Sequence, residues 1–206
     1  PPRSTLFPYT TLFRSEFPMG FKELEGVHNR TDFDLNRHQQ YSGKDLQYID
    51  QDNGNERFVP YIIETSAGLT RQLLMILCDA YVEEKVADKG NDDAWRTVMK
   101  FHPELAPVTV AVLPLMKKDG LAELAHEIRG TLKEDYATDY DQSGAIGRRY
   151  RRQDEAGTPF CVTIDYDTKE NGTVTVRDRD SMSQERVHKD ELSAYIRSKI
   201  KTYQRA

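Results

Sequence analysis

Residues 59–81 read VPYIIETSAGLTRQLLMILCDAY, and the reading of this stretch decides how the chain is organised. Val59, Tyr61, Ile62 and Ile63 form a short β-branched and aromatic run, which predicts a strand. Glu64-Thr65-Ser66-Ala67-Gly68 interrupts it with small and capping residues. Leu69, Leu73, Leu77 and Ala80 then recur at helical spacing, with Leu74, Ile76 and Tyr81 widening the apolar face. The expectation is strand, tight turn, helix. An acid stands at the strand exit, a glycine at the turn and Arg71 in the first helical turn. A helix N-terminus offers free N–H groups and partial positive charge to an anion. Gly68 has no Cβ to block a ligand, Arg71 adds a planar fork suited to phosphate, and Glu64 suits an ammonium group. The same spacing equally describes an ordinary strand-to-helix connection with a solvated arginine.

The bulk properties narrow the classes. The chain has 206 residues, 37% hydrophobic and 31% charged, enough for one large or two small domains. Its two cysteines, Cys78 and Cys161, sit in apolar runs, which predicts buried thiols and a reducing compartment. No apolar run approaches membrane-spanning length, so no membrane partner is expected. The formal charge is −5; residues 1–102 carry 12 Lys and Arg against 16 Asp and Glu, residues 103–206 carry 17 against 18. Contact with nucleic acid would therefore need a local patch.

Upstream of the central stretch, residues 1–15 (PPRSTLFPYTTLFRS) lack helical or strand period and resemble the translation of a sequencing-adaptor oligonucleotide. They are expected to be unstructured and foreign, with the natural protein extending further upstream. Phe21, Glu23, Glu25 and Val27 alternate with Lys22, Leu24 and Gly26, so a strand is expected. Glu23 and Glu25 share a face that suits a divalent cation or an amine in a cleft, and equally suits water. Asp32 or Asp34 is placed to cap a helix near Leu35–Tyr41, followed by a polar loop or hairpin from Ser42 to Arg57 and a strand over Arg57–Glu64. Downstream, Glu83–Met99 reads as a charged connector with Trp95 packed at its end, and Pro103 and Pro107 bracket a domain boundary at 103/104.

The second domain opens with VTVAVLP (108–114), a run suited to a strand buried on both faces of a parallel sheet. Asp119 is expected to cap a helix facing inward with Leu121, Leu124, Ala125, Ile128 and Leu132. A short strand over Tyr136–Asp141, a basic helix opened by Gly144-Ala145-Ile146-Gly147, a buried strand FCVTID (160–165), a hairpin over Thr173–Val187 and a final helix capped by Asp190 complete an α/β layer with a mixed sheet. In the basic helix, Arg148, Arg151 and Arg152 share a face and Arg149 points elsewhere. This face suits phosphate, and Tyr150 suits stacking on unpaired bases, although a merely solvated face has the same composition.

Four stretches together carry a resemblance: ELEGVHNRTDFDL (23–35), VPYIIETSAGLTR (59–71), LAPVTVAVLPLMKKDGL (105–121), and GAIGRRYRRQDEAGTPFCVTIDYDT (144–168) continued by TVTVRDRDSMSQERV (173–187). Residues 17 to about 200 resemble the C-terminal part of class II glycyl-tRNA synthetases of the homodimeric type. The resemblance implies an α+β piece of the antiparallel-sheet catalytic domain over 16–103, followed by a three-layer α/β anticodon-binding domain over 104–206. It also implies ATP and glycine as substrates, Mg²⁺, tRNA(Gly) as partner, a homodimer for the full-length protein and a cytoplasmic location.

Carried over by position, the resemblance makes residues 64–71 motif 3, with Arg71 as its arginine. Glu23, Leu24, Gly68, Leu69, Thr70 and Arg71 would contact ATP, Glu23 lying nearest the Mg²⁺-bound phosphates. Arg30, Glu64, Thr65, Ser66, Ala67 and Gly68 would form the glycine pocket, and Arg148, Arg149, Arg151 and Arg152 would meet tRNA. Two positions depart from the family pattern: Thr65 stands where Pro is usual, and Thr70 where an acid is usual. Motifs 1 and 2 are absent from the sequence, so no complete catalytic set is expected and the chain is expected to be inactive alone. Phe13-Arg14-Ser15-Glu16 imitates motif 2 but straddles the adaptor-like junction and lies too close to motif 3. A non-catalytic RNA-binding protein built on the second domain is the alternative, with synthetases for threonine, proline or histidine as a weaker one. Glu23, Arg30, Glu64 and Arg71 favour the first reading, since a pure RNA binder has no need of them.

Overall fold

The computed structural model describes residues 10–86 and 94–204. The chain divides into two compact units, residues 1–78 and 79–206. This differs from the boundary expected at 103/104. The reason lies in residues 81–99, which are not a connector. Tyr81–Lys85 (β6) and Trp95–Met99 (β7) pair as an antiparallel hairpin, and Arg96 on β7 is buried in the second unit. Trp95 is exposed, with the Lys85 ammonium 5.6 Å from its ring centroid, so it is not the packing residue expected. Residues 87–93 of the expected connector lie outside the described residues.

The first unit holds an antiparallel sheet of three strands in the order β1-β2-β5: Thr10–Phe17, Gly20–Thr31 and Ile62–Ala67. Helix α1 (Phe33–Ser42) follows β2, Tyr48–Asp50 (β3) and Glu56–Phe58 (β4) form a hairpin, and α2 covers Leu69–Ala80. Thr10–Ser15 are thus not unstructured. They pair along β2, with Thr11 opposite Val27 and Ser15 opposite Lys22. Such pairing runs through backbone N–H and C=O groups, and an open edge accepts almost any extended, β-prone peptide. Residues 1–9 lie outside the described residues.

Strand β5 runs on through Glu64-Thr65-Ser66-Ala67, and Gly68 alone links it to α2, so the expected five-residue turn shrinks to one. Register explains the difference: Thr65 pairs with Val27 and Ala67 with Glu25, and ladder bonds outweigh the turn propensity of small residues. The apolar face of α2 is also not buried as the spacing predicted; Leu69, Leu73 and Leu77 are solvent-exposed. An amphipathic helix needs an apolar surface to cover, and three strands supply little of it.

The second unit carries a five-stranded mixed sheet in the order β12-β11-β10-β8-β9. Val110–Pro114 (β8) is parallel to Thr138–Tyr140 (β9) on one side and Phe160–Ile164 (β10) on the other. Thr173–Asp178 (β11) and Gln184–His188 (β12) continue antiparallel. Every residue of β8 and β10 is buried, as their unbroken apolar runs predicted. Val110, Val112, Val162 and Ile164 pack with Leu121, Ala125, Ile128 and Leu132 of α3 (Leu121–Leu132) and with Leu192 and Ile196 of α6 (Leu192–Lys201). Ala111, Leu113 and Cys161 face the other way, against Ile146 and Tyr150 of α4 (Ile146–Ala156). The period of two puts one helical layer on each face, which gives the three-layer α/β architecture.

The caps differ from expectation. Gly120, not Asp119, precedes α3 in the left-handed conformation, while the Asp119 carboxylate accepts from the Tyr166 hydroxyl at 2.7 Å. Asp190 does not cap α6; it lies in a 3₁₀ turn, where its backbone N–H donates to His188 Nδ1 at 3.4 Å. A short helix α5 (Tyr166–Asn171) is added, held by a reciprocal box between Asp165 and Thr168 and closed by Gly172. Cys161 is fully buried and its thiol is pushed up to about 12 by desolvation, whereas Cys78 is only half-buried. Among the described residues no helix is long and apolar enough to cross a membrane.

Candidate functional site

In the first unit, two irregularities in β2 shape the site. A bulge beside Phe13/Arg14 sets Leu24 out of the ladder, and a second between Asn29 and Thr31 does the same for Arg30. Freed from pairing, Arg30 turns onto the first turn of α1. Its Nε donates to Asp34 Oδ2 at 2.6 Å and its Nη2 to Asp34 Oδ1 at 3.1 Å, with Glu64 Oε2 at 3.5 Å. The hydrogen bond from Arg30 holds the Asp34 carboxyl below the usual aspartate range. Asp34 is therefore a partner of Arg30 rather than a helix cap.

Glu23, Leu24, Ser66, Ala67, Gly68 and Arg71 line one open hollow. Gly68 ends the strand and starts the helix, its carbonyl accepting from the Arg71 and Gln72 N–H groups. The Arg71 guanidinium reaches back over the sheet, and its Nη1 donates to the Glu23 carbonyl at 2.5 Å. The hollow thus gathers a carboxylate, a guanidinium and a helix N-terminus, a set suited to a polyphosphate and an ammonium group. Six of the eleven residues expected around ATP and glycine line it. Arg30 and Glu64 stand together in their own ion pair, and Thr65, Leu69 and Thr70 are exposed but do not line the hollow. Gly26 stands opposite Ser66, and the His28 imidazole lies over it, its Nε2 2.5 Å from where a Cβ would be.

In the second unit, α4 and the β11–β12 hairpin enclose a groove lined by Ala145, Gly147, Arg148, Tyr150, Arg151, Arg177, Met182 and Gln184. Of the four arginines expected at RNA, only Arg148 and Arg151 line this groove. Arg148 is exposed and forms no ion pair among the described residues. Arg152 lies beside it on the helix but bonds to the Asp141 carboxylate and to the Ser143 carbonyl at 2.7 Å. Arg149 is withdrawn altogether. It is 2% exposed and donates to the carbonyls of Pro114 at 2.6 Å, Asp141 at 3.2 Å and Leu115 at 3.3 Å, pinning the ends of β8 and β9. Helical spacing separates it from the other three, and the packing of Ile146 and Tyr150 on the sheet turns that side of α4 inward.

Tyr150 is less available than its composition suggested. Its hydroxyl pairs with Thr163 Oγ1 at 2.6 Å, and the Arg177 guanidinium lies 4.9 Å over its ring, covering one face. Arg177, Met182 and Gln184 were not singled out from the sequence. The signal for Arg177 was present: in TVTVRD the alternation puts Val174 and Val176 toward α3 and α6, and Arg177 on the α4 side.

Asp154, also on α4, is completely buried. Arg177 clamps it at 2.8 and 3.0 Å, Arg96 Nη1 lies at 3.2 Å and Arg151 Nη1 at 3.5 Å. Arg96 also holds Glu84, and burial of that carboxyl is outweighed by Lys100 and Arg96, which keep it below the usual glutamate range. This network ties β6 and β7 to α4 and β11.

Residues 109–199 match the anticodon-binding domain family. The chain is 75% identical over 191 residues to a glycine–tRNA ligase of Treponema denticola, covering 93% of this chain and 42% of that protein. It is 56% identical to the glycine–tRNA ligase of Treponema pallidum and 50% identical to that of Chlorobaculum tepidum, covering 45% and 38% of those proteins. The chain thus spans about two fifths of the length of the curated relatives it matches. Residues 109–199 thus carry an anticodon-binding domain, and over 93% of its length the chain is similar to a glycine–tRNA ligase.

Proposed function

We propose that the chain contributes to glycine–tRNA ligase activity, activation of glycine with ATP followed by transfer to the 3′ end of tRNA(Gly), and that its own share is to hold the anticodon region of the tRNA. The observation that carries this reading is the groove with Arg148 and Arg151 at its lip, within the matched domain. Arginine forks at a groove next to an aromatic ring suit phosphates and unpaired bases. A net negative chain with one arginine-lipped groove directs RNA to that groove rather than to its whole surface.

The first unit supplies part of the adenylate-forming site. Glu64 and Ser66, with Arg30, are assigned to the glycine substrate, together with Thr65, Ala67 and Gly68 along the pocket wall. Glu23, Leu24, Gly68, Leu69, Thr70 and Arg71 are assigned to ATP. Glycine is the smallest amino acid, so its pocket need only exclude a Cβ by overlap, an easier task than distinguishing one methylene from another. Mg²⁺ fits this set in a limited way: the hollow offers the single Glu23 carboxylate, and among the described residues no three ligating side chains gather. That suits an ion held chiefly by the nucleotide phosphates and one carboxylate; bound there, it would neutralise phosphate charge.

The residues that would face this hollow in motifs 1 and 2 are not in the sequence, so the chain alone is expected to lack activation activity. The homodimer and the cytoplasmic location belong to the same proposal. The alternative, a non-catalytic RNA binder, leaves the gathering of Glu23, Ser66, Gly68 and Arg71 in one hollow without a role.

The test is binding of a tRNA(Gly) transcript across a salt series. Replacing Arg148 and Arg151 together by Ala is expected to weaken binding about tenfold or more. The salt slope should fall by roughly 0.7–0.9 for each phosphate that is no longer neutralised. An unchanged slope would make these arginines surface only. Glycine-dependent ATP–pyrophosphate exchange by the chain itself, at the rate of a full-length ligase, would overturn the expected inactivity.

A further inference from the structure

We infer that Asp154 and Arg96 are positioning residues for the RNA groove, and that the hairpin β6–β7, which lies outside the matched residues 109–199, is a working part of the RNA-binding unit. This rests on the groove reading above.

Two guanidiniums that line the groove, Arg151 and Arg177, converge on the same carboxylate, Asp154. Asp154 has no exposed surface of its own, so it acts on RNA only through them. Both oxygens of Asp154 are engaged by Arg177, a bidentate geometry that fixes the plane of the fork and holds it 4.9 Å over the Tyr150 ring. Arg96 of β7 reaches the same carboxylate. Its Nη1 reaches Asp154 Oδ2 at 3.2 Å and the Arg179 carbonyl at 2.8 Å, and its Nη2 reaches the Asp180 carbonyl at 3.1 Å. Arg179 and Asp180 begin the turn that carries Met182 and leads to Gln184, the other wall of the groove.

That turn needs holding. Met182 sits at φ +57°, a conformation that a non-glycine residue keeps only where its surroundings impose it. Arg96 grips the start of the turn, and Arg151 Nη1 lies 3.8 Å from Met182 Sδ across the groove. One arginine from the hairpin thus fixes both the carboxylate under one wall and the backbone of the other. A long arginine left free must be ordered at the moment of binding; one already ordered does not incur that cost again.

The sign of the Asp154→Asn effect separates positioning from plain electrostatics. Removing a negative charge beside the groove should, by charge count alone, tighten RNA binding and steepen its salt dependence. Positioning predicts the opposite: about tenfold weaker binding of a tRNA(Gly) transcript and a shallower slope, as Arg151 and Arg177 lose their anchor. Arg96→Lys, which keeps the charge but loses the fork, is expected to weaken binding in the same direction. The full chain is used throughout, with near-ultraviolet circular dichroism to select conditions where each variant is folded. Tighter or unchanged binding by folded Asp154→Asn, or binding by Arg96→Lys equal to the parent despite a lowered melting temperature, overturns the inference. Should Asp154→Asn fail to fold, Arg96→Lys decides. If the double Arg148→Ala, Arg151→Ala variant binds like the parent, the groove reading itself has failed; if it is weakened while the Asp154 and Arg96 variants are not, only the positioning inference has.

Discussion

Arg149→Ala separates the two roles that arginines play on α4. The parent side chain makes three hydrogen bonds to carbonyls of Pro114, Leu115 and Asp141 from a position 2% exposed. A hydrogen bond to a charged group contributes about 1.5–3 kcal/mol, and a buried acceptor left without a partner costs about 1–3 kcal/mol. Against this stand the desolvation of the guanidinium, which lowers its pKa from the usual arginine value, and a buried Nε with no hydrogen-bond partner. The balance is a loss of roughly 3 kcal/mol, in the range typical of breaking a buried polar network. For a unit of this size that lowers the melting temperature by about 10 °C. The assays are thermal melting and urea titration of the full chain, followed by RNA binding across salt at a temperature where the variant is folded. The salt slope is expected to stay at the parent value, because Arg149 meets no phosphate. An unchanged melting temperature, or a slope that falls as it does for Arg148→Ala with Arg151→Ala, would refute the assignment of Arg149 to the fold.

Gly157→Ala is expected to destabilise the second unit by about 2–4 kcal/mol, measured by urea unfolding. Gly157 closes α4 at φ +81°, and a Cβ there would lie 2.4 Å from Phe101 Cδ2 and 2.9 Å from the Met99 carbonyl; a midpoint within error of the parent would contradict this packing. Acid should also weaken this unit through Asp180. Burial raises that carboxyl, but hydrogen bonds from Arg179 and its charge outweigh burial and hold it below the usual aspartate range. A depressed folded pKa means stability that is present above the unfolded value and is lost as the pH falls through the folded one. Asp180→Asn should therefore flatten the fall of melting temperature between about pH 5 and pH 3, and a parallel fall in both proteins would exclude Asp180 as a contributor.

Much of the second unit was legible along the chain. VTVAVLP and FCVTID are unbroken apolar runs, and only strands covered on both faces can bury every residue of such a run. The spacing of Leu121, Ala125, Ile128 and Leu132 fixed the inner face of α3 for the same reason. In the first unit the strand bearing Glu23 and the helix bearing Arg71 were legible, but their meeting was not. Arg71 bonds to the carbonyl of Glu23, 48 residues away, and only the pairing of β2 with β5 brings them together.

What the sequence determined by itself was whatever depends on period and composition: the buried strands and inner helix faces of the second unit, the layers of the mixed sheet and the presence of an arginine-rich helix. What the tertiary structure alone decided was which charges face water. RRYRR shows five residues of which four are basic. Packing sends Arg149 under the sheet ends and Arg152 to Asp141, leaving Arg148 and Arg151 for the groove. Asp154 and Arg96 look like ordinary surface charges in the sequence, 58 residues apart, and are buried together in the fold. A charge can be buried only where opposite charges and carbonyls meet it in three dimensions, and those partners come from strands and loops that no local spacing brings into view.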